Sequence, residues 1–454
     1  MGSRRVSIVL TALITLDGTL SPALLPGTPP APLKELRERR ERLVGRLRPS
    51  LGGEERGAFL WRSGKEPGQD ERFRPDPNFF YLTGHEEPGA SMLLSFTRTA
   101  YEETLLLPAR DPSREKWTGA KLGPGAADPT TGEPDEERRA AMRRTGFGAV
   151  APAERLDAIL ESRSGLQGTV VLWARHDSGG LDEAPTEAQL FLDLVRSRYP
   201  KLRLADPAEE LALLRVVKSQ AEVSLIEKAI AITCEAQLEA MRALRASKSE
   251  NELHGIIEGS FLRRGALGSA FLSIVAAGRN ATVLHYASNS APIGQEDVVV
   301  IDIGAEFGRY AADVTRSLPA SGRFTPRQRE VYDLVLRAQS EAASLIRPGA
   351  TIDAIHKRAR EILEKAGYGK YFTHGTSHFL GLEVHDPGKR DWPFEPGAVL
   401  TVEPGIYLPE QSLGIRIEDD YLVTESGARK LSAAAPSSID QIEKVVNSPN
   451  LLKK

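Results

Sequence analysis

The stretch VVVIDIGAEFGRYAADVTRSL, residues 298–318, places two acidic residues inside apolar runs that are typical of β-strands. Its two ends both suit strands, and AEFGR supplies the turn between them. A turn centred between Phe307 and Gly308 predicts that Asp302 lies directly opposite Asp313 on an antiparallel hairpin. Facing residues have Cβ atoms about 4.5–5.5 Å apart. Two carboxylates at that distance repel each other, so the pattern predicts a cation between them.

The same pattern recurs in AVLTVEPGIYLPEQSLGIRIEDDYLV. A turn centred between Glu410 and Gln411 predicts that Glu403 lies opposite Glu418, with Arg416 on the same face as Glu418. A single acid in a strand usually occupies a solvated outer position. Two facing acidic pairs, each preceded by an apolar run, instead indicate a functional site.

A third stretch, HGTSHFLGLEVHDPG at residues 374–388, contains three of the eight histidines in the chain. This is either a chance grouping in a loop, a metal site or an acid/base cluster. Four carboxylates and an imidazole suit Mn²⁺, Co²⁺ or Fe²⁺, with Zn²⁺ as an alternative, and the single cysteine excludes a thiolate cluster. Four negative charges suit two divalent ions, and such pairs generate hydroxide near neutral pH for hydrolysis of peptide or ester-like bonds.

In their order along the chain, five of these residues resemble the dinuclear centre of the pita-bread metallopeptidases of family M24, which include methionine aminopeptidase, prolidase and aminopeptidase P. They are Asp302, Asp313, His378, Glu403 and Glu418. The segments IDIGAEFGRYAADVTR, TVEPGIY and GIRIEDD match the family locally, and the resemblance covers roughly residues 211–440. PNFFYLTGHEEPGASMLL and LPARDPSREKWTGAKLGPGAA resemble the N-terminal domain of aminopeptidase P, which methionine aminopeptidase lacks.

The resemblance implies an α/β (α+β) fold in two domains. Alternating helix and strand patterns start near Pro32, and helical spacing dominates after Asp206. We therefore expect an N-terminal extension at 1–31, an aminopeptidase P-type α/β domain at 32–206 and a pita-bread domain with a curved antiparallel sheet at 207–454. In the family, the N-terminal domain restricts the substrate entrance and mediates assembly, so the resemblance implies a homo-oligomer, either a dimer or a tetramer.

The implied function is a metallo-aminopeptidase that hydrolyses the bond between an N-terminal residue and a penultimate proline. Its substrates would be peptides with proline at the second position, and its cofactors two divalent ions, with Mn²⁺ preferred. By resemblance, Asp302 binds one ion and His378 and Glu403 bind the other, whereas Asp313 and Glu418 bridge the two ions.

The resemblance also implies roles beyond metal binding. Glu403 would accept the proton of the attacking water, and His285 and His385 would hydrogen-bond the scissile carbonyl and the tetrahedral intermediate. Arg416 would orient nearby acids or contact the substrate, and His374 also matches a family position. The other histidines match no motif and are interpreted as surface or packing residues: His85, His176, His254 and His356.

Two other functions are open. An Xaa-Pro dipeptidase (prolidase) has the same catalytic fold and differs in the length of its substrates. A non-catalytic peptide-binding protein, or a metal-free hydrolase such as creatinase, uses the same scaffold but has typically lost metal ligands. Here all five positions carry the expected residue types, which favours a metalloenzyme.

Composition and the N-terminus give further limits. The net charge of −3 gives no electrostatic reason to expect a nucleic-acid partner, and the mixed-charge run from Lys34 to Arg48 predicts a solvated helix. Arg4 and Arg5, followed by an apolar run and then small residues and prolines, are typical of an export signal. We expect a periplasmic or secreted protein that starts near Ala31. The alternative is an extension of a cytoplasmic protein, and no segment is long and apolar enough to span a membrane in the mature chain.

Overall fold

The computed structural model describes residues 31–52, 55–68, 71–127, 132–165, 170–177 and 183–449. Apart from Ala31, the predicted export segment lies outside these described residues. The α-helices of the described residues are α1 (Leu33–Leu47), α2 (Pro77–Thr83), α3 (Pro112–Thr118), α4 (Glu136–Thr145), α5 (Leu156–Ser164), α6 (Glu187–Arg198), α7 (Ala208–Val216), α8 (Gln220–Ala243), α9 (Glu250–Arg263), α10 (Pro326–Ala343), α11 (Ile352–Lys365) and α12 (Ile439–Val446).

The strands belong to one large sheet and several small ones. They are β1 (Arg56–Arg62), β2 (Ser91–Phe96), β3 (Tyr101–Leu107), β4 (Ala149–Pro152), β5 (Val170–Trp173), β6 (Leu202–Ala205), β7 (Gly268–Ser269), β8 (Ile274–Ala277), β9 (Val298–Ile303), β10 (Ala305–Phe307), β11 (Tyr310–Ala311), β12 (Val314–Pro319), β13 (Val399–Val402), β14 (Gly405–Leu408), β15 (Leu413–Arg416), β16 (Asp419–Thr424) and β17 (Gly427–Lys430).

The first sheet is mixed and has the strand order β4-β3-β2-β1-β5-β6. Side chains alternate between its two faces, as they must along a strand. Ala58 and Leu60 of β1 belong to the buried cluster that includes residues of α5 and α6, whereas Phe59 and Trp61 belong to the cluster that includes residues of α1 and α2. Helices therefore cover both faces of this sheet.

The second part contains β7 to β17, and every strand pair described there is antiparallel. Its longest helix, α8, begins at a capping box in which Ser219 and Glu222 each bond the backbone N–H of the other. The predicted α/β (α+β) class is confirmed. β6 ends at Ala205 and α7 begins at Ala208, so the predicted boundary near Asp206 falls between two elements; the division into domains stays a prediction.

Helix α1 corrects one expectation. Two of its arginines are fully buried instead of solvated. Arg39 lies 3.1 Å from a carboxylate oxygen of Glu222 in α8, and Arg40 donates to Glu103 in β3 at 2.7 Å. The prediction failed because these long side chains reach acidic partners that are distant in the sequence. Arg39 thereby joins the first part of the chain to the second.

The first acidic hairpin has a different register from the one predicted. Its turn is formed by Gly308 and Arg309, which both have positive φ, at 56° and 72°. This turn lies one residue later than predicted, so Asp302 pairs with Thr315 instead of Asp313. The residue paired with Asp302 therefore shifts by two positions. An even shift preserves the side-chain alternation and leaves Asp302 and Asp313 on the same face.

The second hairpin has the predicted register. Gly405 pairs with Arg416 in β14 and β15, and Val402 pairs with Asp419 in β13 and β16. Glu403 and Glu418 lie between these two paired segments. Because both segments have the same register, the two glutamates face each other. The two hairpins also touch, because the backbone N–H of Glu418 donates to the carbonyl oxygen of Thr315 at 3.1 Å.

A search of the described helices finds none with the length and apolar character that a bilayer crossing requires.

Candidate metal centre

All nine residues singled out in the sequence line one cavity of about 940 Å³. They are His285, Asp302, Asp313, His374, His378, His385, Glu403, Arg416 and Glu418. The rest of the wall is largely apolar, and its members include Phe271, Ile274, Leu284 and Val384. Part of the wall comes from residues 74–77, which belong to the first part of the chain.

The His378 ring faces three carboxylates with its Nε2 atom. Nε2 lies 3.6 Å from Asp313, 3.6 Å from Glu403 and 4.0 Å from Glu418. Its other nitrogen, Nδ1, lies 3.1 Å from the carbonyl oxygen of Phe379, which can only accept a hydrogen bond, so Nδ1 carries the proton. Nε2 then presents a lone pair to the carboxylate oxygens, and this arrangement is favourable only with a cation between them.

Carboxylate oxygens in the cavity support the same conclusion. One oxygen each of Asp302, Asp313 and Glu418 is buried and has no hydrogen-bond partner within the described residues. Buried carboxylate oxygens without donors are costly unless they coordinate a metal ion or bind a proton. Suitable oxygen ligands and one imidazole, at these separations, fit divalent ions of the manganese type.

Burial and mutual repulsion shift the pKa values of these acids upward. Burial and Glu418 raise the pKa of Asp313 and of Glu403 well above the usual range. Burial and Asp302 raise the pKa of Glu418 to about 8. Burial, with His385 nearby, lowers the pKa of His378 to about 4, so its imidazole is neutral at pH 7 and able to bind a metal.

Arg416 links the first acidic pair to a tyrosine and a histidine. Its Nη2 donates to Asp302 at 2.7 Å, and its Nη1 donates to the hydroxyl oxygen of Tyr407 at 2.9 Å. The Tyr407 hydroxyl in turn donates to Nε2 of His374 at 2.8 Å, while Nδ1 of His374 donates to the carbonyl of Gly375. Burial, together with Arg416, lowers the pKa of His374 to about 4. The guanidinium therefore fixes both an acid and an imidazole.

The two remaining histidines of the site, His385 and His285, also line the cavity. The His385 ring lies 4.3 Å from the His378 ring between centroids. Burial, with His285 nearby, lowers the pKa of His385, which keeps its imidazole neutral at pH 7. His285 lines the cavity in the segment that follows β8.

The four histidines that match no family motif do not line the cavity, although one of them packs behind it. His85 is buried among residues of the first part, and His176 and His254 are partly exposed. His356 is half-buried in α11, where Nδ1 lies 2.9 Å from the hydroxyl of Thr376. The backbone carbonyl of that threonine accepts from the N–H of Glu403, so His356 packs behind the site and does not line it.

Sequence reasoning missed three contributors to the site. Tyr407 stands in the quoted TVEPGIY segment, two residues from Gly405, but a tyrosine in a strand gives no signal of its own. Thr315 donates to Glu418 at 2.7 Å, and only the true hairpin register reveals it. The wall at 74–77 depends on contacts between distant parts of the chain, such as the bond from Arg74 to the carbonyl oxygen of Leu382 at 2.8 Å.

Comparisons with known proteins place these features in a family. The model of metallopeptidase family M24 matches residues 224–425, and that of the aminopeptidase P N-terminal domain matches residues 36–134. The Xaa-Pro aminopeptidase of Haemophilus influenzae is 34% identical, over 92% of this chain and 98% of that protein.

Solved structures agree with this assignment. Escherichia coli aminopeptidase P with the inhibitor Pro-Leu superposes with a TM-score of 0.78 at 29% identity, covering 92% of this chain and 98% of that one. By contrast, the Xaa-Pro dipeptidase of Pyrococcus furiosus is 37% identical over 48% of this chain and 64% of that protein. The predicted resemblance is confirmed over nearly the whole chain. This chain belongs to metallopeptidase family M24, in the aminopeptidase P group.

Proposed function

We propose that this protein is a metal-dependent Xaa-Pro aminopeptidase, which releases the N-terminal residue from peptides with proline at the second position. One observation carries the proposal: His378 and four carboxylates converge in a cavity whose wall includes residues 74–77 of the first part. A family resemblance that extends through the first part favours an aminopeptidase over a dipeptidase.

The metal set we propose is a pair of divalent ions, with Mn²⁺ preferred. Asp302 would hold one ion, His378 and Glu403 the other, and Asp313 and Glu418 both. When bound, such ions supply Lewis acidity and lower the pKa of water toward neutrality. The buried carboxylate oxygens without hydrogen-bond donors support this assignment.

Glu403 is the proposed general base. In the metal-free site, burial and Glu418 raise the pKa of its carboxyl group well above the usual range. Bound ions would lower it again, so the proposal rests on the position of the carboxylate among the proposed ligands. One of its oxygens lies 3.6 Å from His378 Nε2, and the other lies 3.6 Å from Nδ1 of His374. The carboxylate thus lies between two imidazoles, and it would receive the proton of the attacking water.

His285 and His385 are the proposed hydrogen-bond donors to the substrate carbonyl. A neutral imidazole still carries one N–H, so the lowered pKa of His385 is compatible with this role. Both rings line the cavity near the carboxylates, where negative charge would develop on the carbonyl oxygen. Arg416 would keep Asp302 in place, and Tyr407 would orient His374.

Proline requires a special form of recognition. Its nitrogen has no N–H in a peptide bond, and its ring fixes φ, so strand-like pairing through that group is unavailable to the enzyme. We infer that the ring packs on the apolar part of the wall, which includes Phe271, Ile274 and Val384. Shape then replaces the missing hydrogen bond.

Assembly and location are also proposals. We infer a homo-oligomer, a dimer or tetramer, from the family resemblance, and sedimentation analysis tests it. We infer export from the basic and apolar pattern of residues 4–16. Mass spectrometry of the N-terminus of the native protein tests this, since an intact Met1 would contradict export with cleavage.

Activity on defined peptides tests the main proposal. The protein is stripped with a chelator, reloaded with Mn²⁺ and incubated with Xaa-Pro dipeptides and with tripeptides that carry proline second. We expect release of the first residue from tripeptides only after reloading. Intact tripeptides would refute the proposal, and exclusive cleavage of dipeptides would indicate prolidase activity.

Metal analysis of variants tests the site itself. Asp313→Ala should lower the metal bound per chain, whereas Asp353→Ala, at an exposed carboxylate of α11 paired with Arg390, should leave it unchanged. Equal metal content in both variants would contradict the assignment of Asp313.

A further inference from the structure

A buried ion cluster underlies the loop that carries His378 and His385. It consists of Asp386, Arg215 and Lys218, whose side chains are 1 to 2% exposed. We propose that this cluster sets the position of the His385 ring in the cavity, so that Asp386 and Arg215 are positioning residues for the reaction. The proposal rests on the role of His385 in the proposed function.

The Asp386 carboxylate ties several segments together. Oδ1 accepts from Nη2 of Arg215 at 2.5 Å and from the backbone N–H of Glu383 at 3.2 Å, and Oδ2 accepts from Nζ of Lys218 at 3.2 Å. The backbone N–H of Asp386 donates to the carbonyl oxygen of Phe379 at 2.9 Å. One residue thereby closes the loop and anchors it to the segment at the end of α7.

This closure determines the spacing of the two imidazoles. Phe379 and Asp386 form an antiparallel bridge, and His378 and His385 each precede one of them in the sequence. The two rings consequently lie 4.3 Å apart. The loop folds closely over the carboxylate, since a Cβ on Gly381 would lie 2.6 Å from Oδ2 of Asp386. A shift of this carboxylate therefore moves His385 relative to His378.

Arg215 connects the same loop to the first part of the chain. Its Nη1 donates to the side-chain oxygen of Asn78 at 2.8 Å, and its Nη2 also donates to Glu383 at 2.8 Å. Asn78 belongs to α2, directly after the segment 74–77 that lines the cavity. One planar guanidinium thus contacts both the histidine loop and the residue next to the 74–77 wall, and a lysine ammonium could not reproduce this fork of hydrogen bonds.

The charges of the cluster balance only while Asp386 is ionised. Two buried cations, Arg215 and Lys218, face the Asp386 carboxylate and the half-exposed Glu383. Burial alone would raise the pKa of Asp386, but the two cations hold it below the usual range. An amide at this position leaves the cations without their counter-charge, and the loop must then rearrange.

The first test uses Asp386→Asn in the full-length, metal-loaded protein. We expect kcat for a Xaa-Pro tripeptide to fall about a hundredfold, as for a group displaced by about 1 Å, with the metal content per chain unchanged. Asp353→Asn, at the exposed ion pair with Arg390, is the matched control and should keep the wild-type kcat. Lost metal in Asp386→Asn would overturn the proposal, because the cluster would then support the metal ligands.

A double-variant cycle separates positioning from general support of the fold. If Asp386 acts through His385, adding Asp386→Asn to His385→Ala should change kcat by less than about twofold. Independent, multiplicative losses would overturn the proposal. Where Asp386→Asn does not fold, Arg215→Lys takes its place in both experiments, with the same expected results.

A crystal structure of the variant gives a readout that does not depend on activity. We expect the His378–His385 ring separation to change from 4.3 Å, with the four carboxylates in their present places. An unchanged separation would overturn the positioning role even in an active enzyme. A wild-type protein that cleaves no Xaa-Pro peptide would instead refute the proposed function and leave this structural test intact.

Discussion

Replacing Thr315 by valine should weaken metal binding without creating a cavity in the core. The Thr315 hydroxyl donates to one oxygen of Glu418 at 2.7 Å, and the other oxygen of Glu418 has no hydrogen-bond partner among the described residues. Valine has nearly the same shape as threonine but cannot donate. The substitution therefore removes the charge-assisted bond to a proposed bridging ligand, together with the longer bond, 3.4 Å, that Arg416 Nε donates to the same hydroxyl.

The size of the effect follows from that bond. Hydrogen bonds to charged groups contribute about 1.5–3 kcal/mol net. If that energy is lost on metal binding, Kd rises roughly 10- to 150-fold. The pKa of Glu418 in the metal-free protein is about 8, raised by burial and Asp302, and the Thr315 hydroxyl opposes this rise. Without the hydroxyl, the metal competes with a more tightly held proton.

Competition between the protein and a fluorescent chelator measures Mn²⁺ affinity from pH 6.5 to 9. We expect the deficit of Thr315→Val to be largest at low pH and to shrink toward pH 9, where the Glu418 carboxyl loses its proton unaided. Thr233→Val is the control, because its buried hydroxyl bonds backbone groups of Ala229 and Ala305 away from the cavity. A deficit that is independent of pH, or equal in the control, would refute the reasoning.

Three further predictions concern stability. Glu418 has a folded pKa of about 8, above its ordinary value of 4.5, so its protonated form stabilises the metal-free protein; the melting temperature after chelation should fall as the pH rises from about 5 to about 8 and level off above that, and Mn²⁺ should abolish this slope. Burial lowers the pKa of His85 to about 4, so its contribution is present above pH 6.5 and is lost as the pH falls. Urea unfolding should show a loss of about 2 kcal/mol from pH 7 to pH 5 that His85→Gln removes and His254→Gln, at a partly exposed position, does not. Gly304→Ala would overlap a neighbouring backbone oxygen in the first hairpin and should destabilise the protein by about 3 kcal/mol or more, whereas Gly255→Ala, with open space around it in α9, should be neutral or stabilising by differential scanning calorimetry.

Local patterns in the sequence predicted much of the fold. The helix predicted from Lys34 to Arg48 corresponds to α1, and the alternation of helices and strands expected after Pro32 appears in the order of α1 to α6 and β1 to β6. The second acidic hairpin was predicted in the right register because its turn contains no glycine and is centred midway between Glu403 and Glu418. The first was misplaced because a glycine and an arginine, both with positive φ, form a two-residue turn. Arginine gives no sequence signal for that conformation.

Contacts between distant segments were beyond the sequence patterns. Nothing near Arg39 predicts that its partner is Glu222, and nothing near His385 predicts that Arg215 holds its loop. Family resemblance supplied the proposed ligand set because it encodes three-dimensional constraints that one chain does not display. It did not supply the hydrogen bonds that orient those ligands, since these depend on residues such as Thr315 and Tyr407.

The burial of Arg39 also affects synthesis of the chain on the ribosome. Its acidic partner, Glu222, accepts a hydrogen bond from the hydroxyl of Tyr310, so the polar contacts of α1 are complete only after that tyrosine has emerged. At about 5–20 residues per second, this delay is on the order of ten to fifty seconds. Throughout it, Arg39 has its partners within the amino half, Glu35 and the carbonyl oxygen of Tyr81, but lacks Glu222. We therefore expect ribosome-associated chaperones to hold this segment until the second half of the chain arrives.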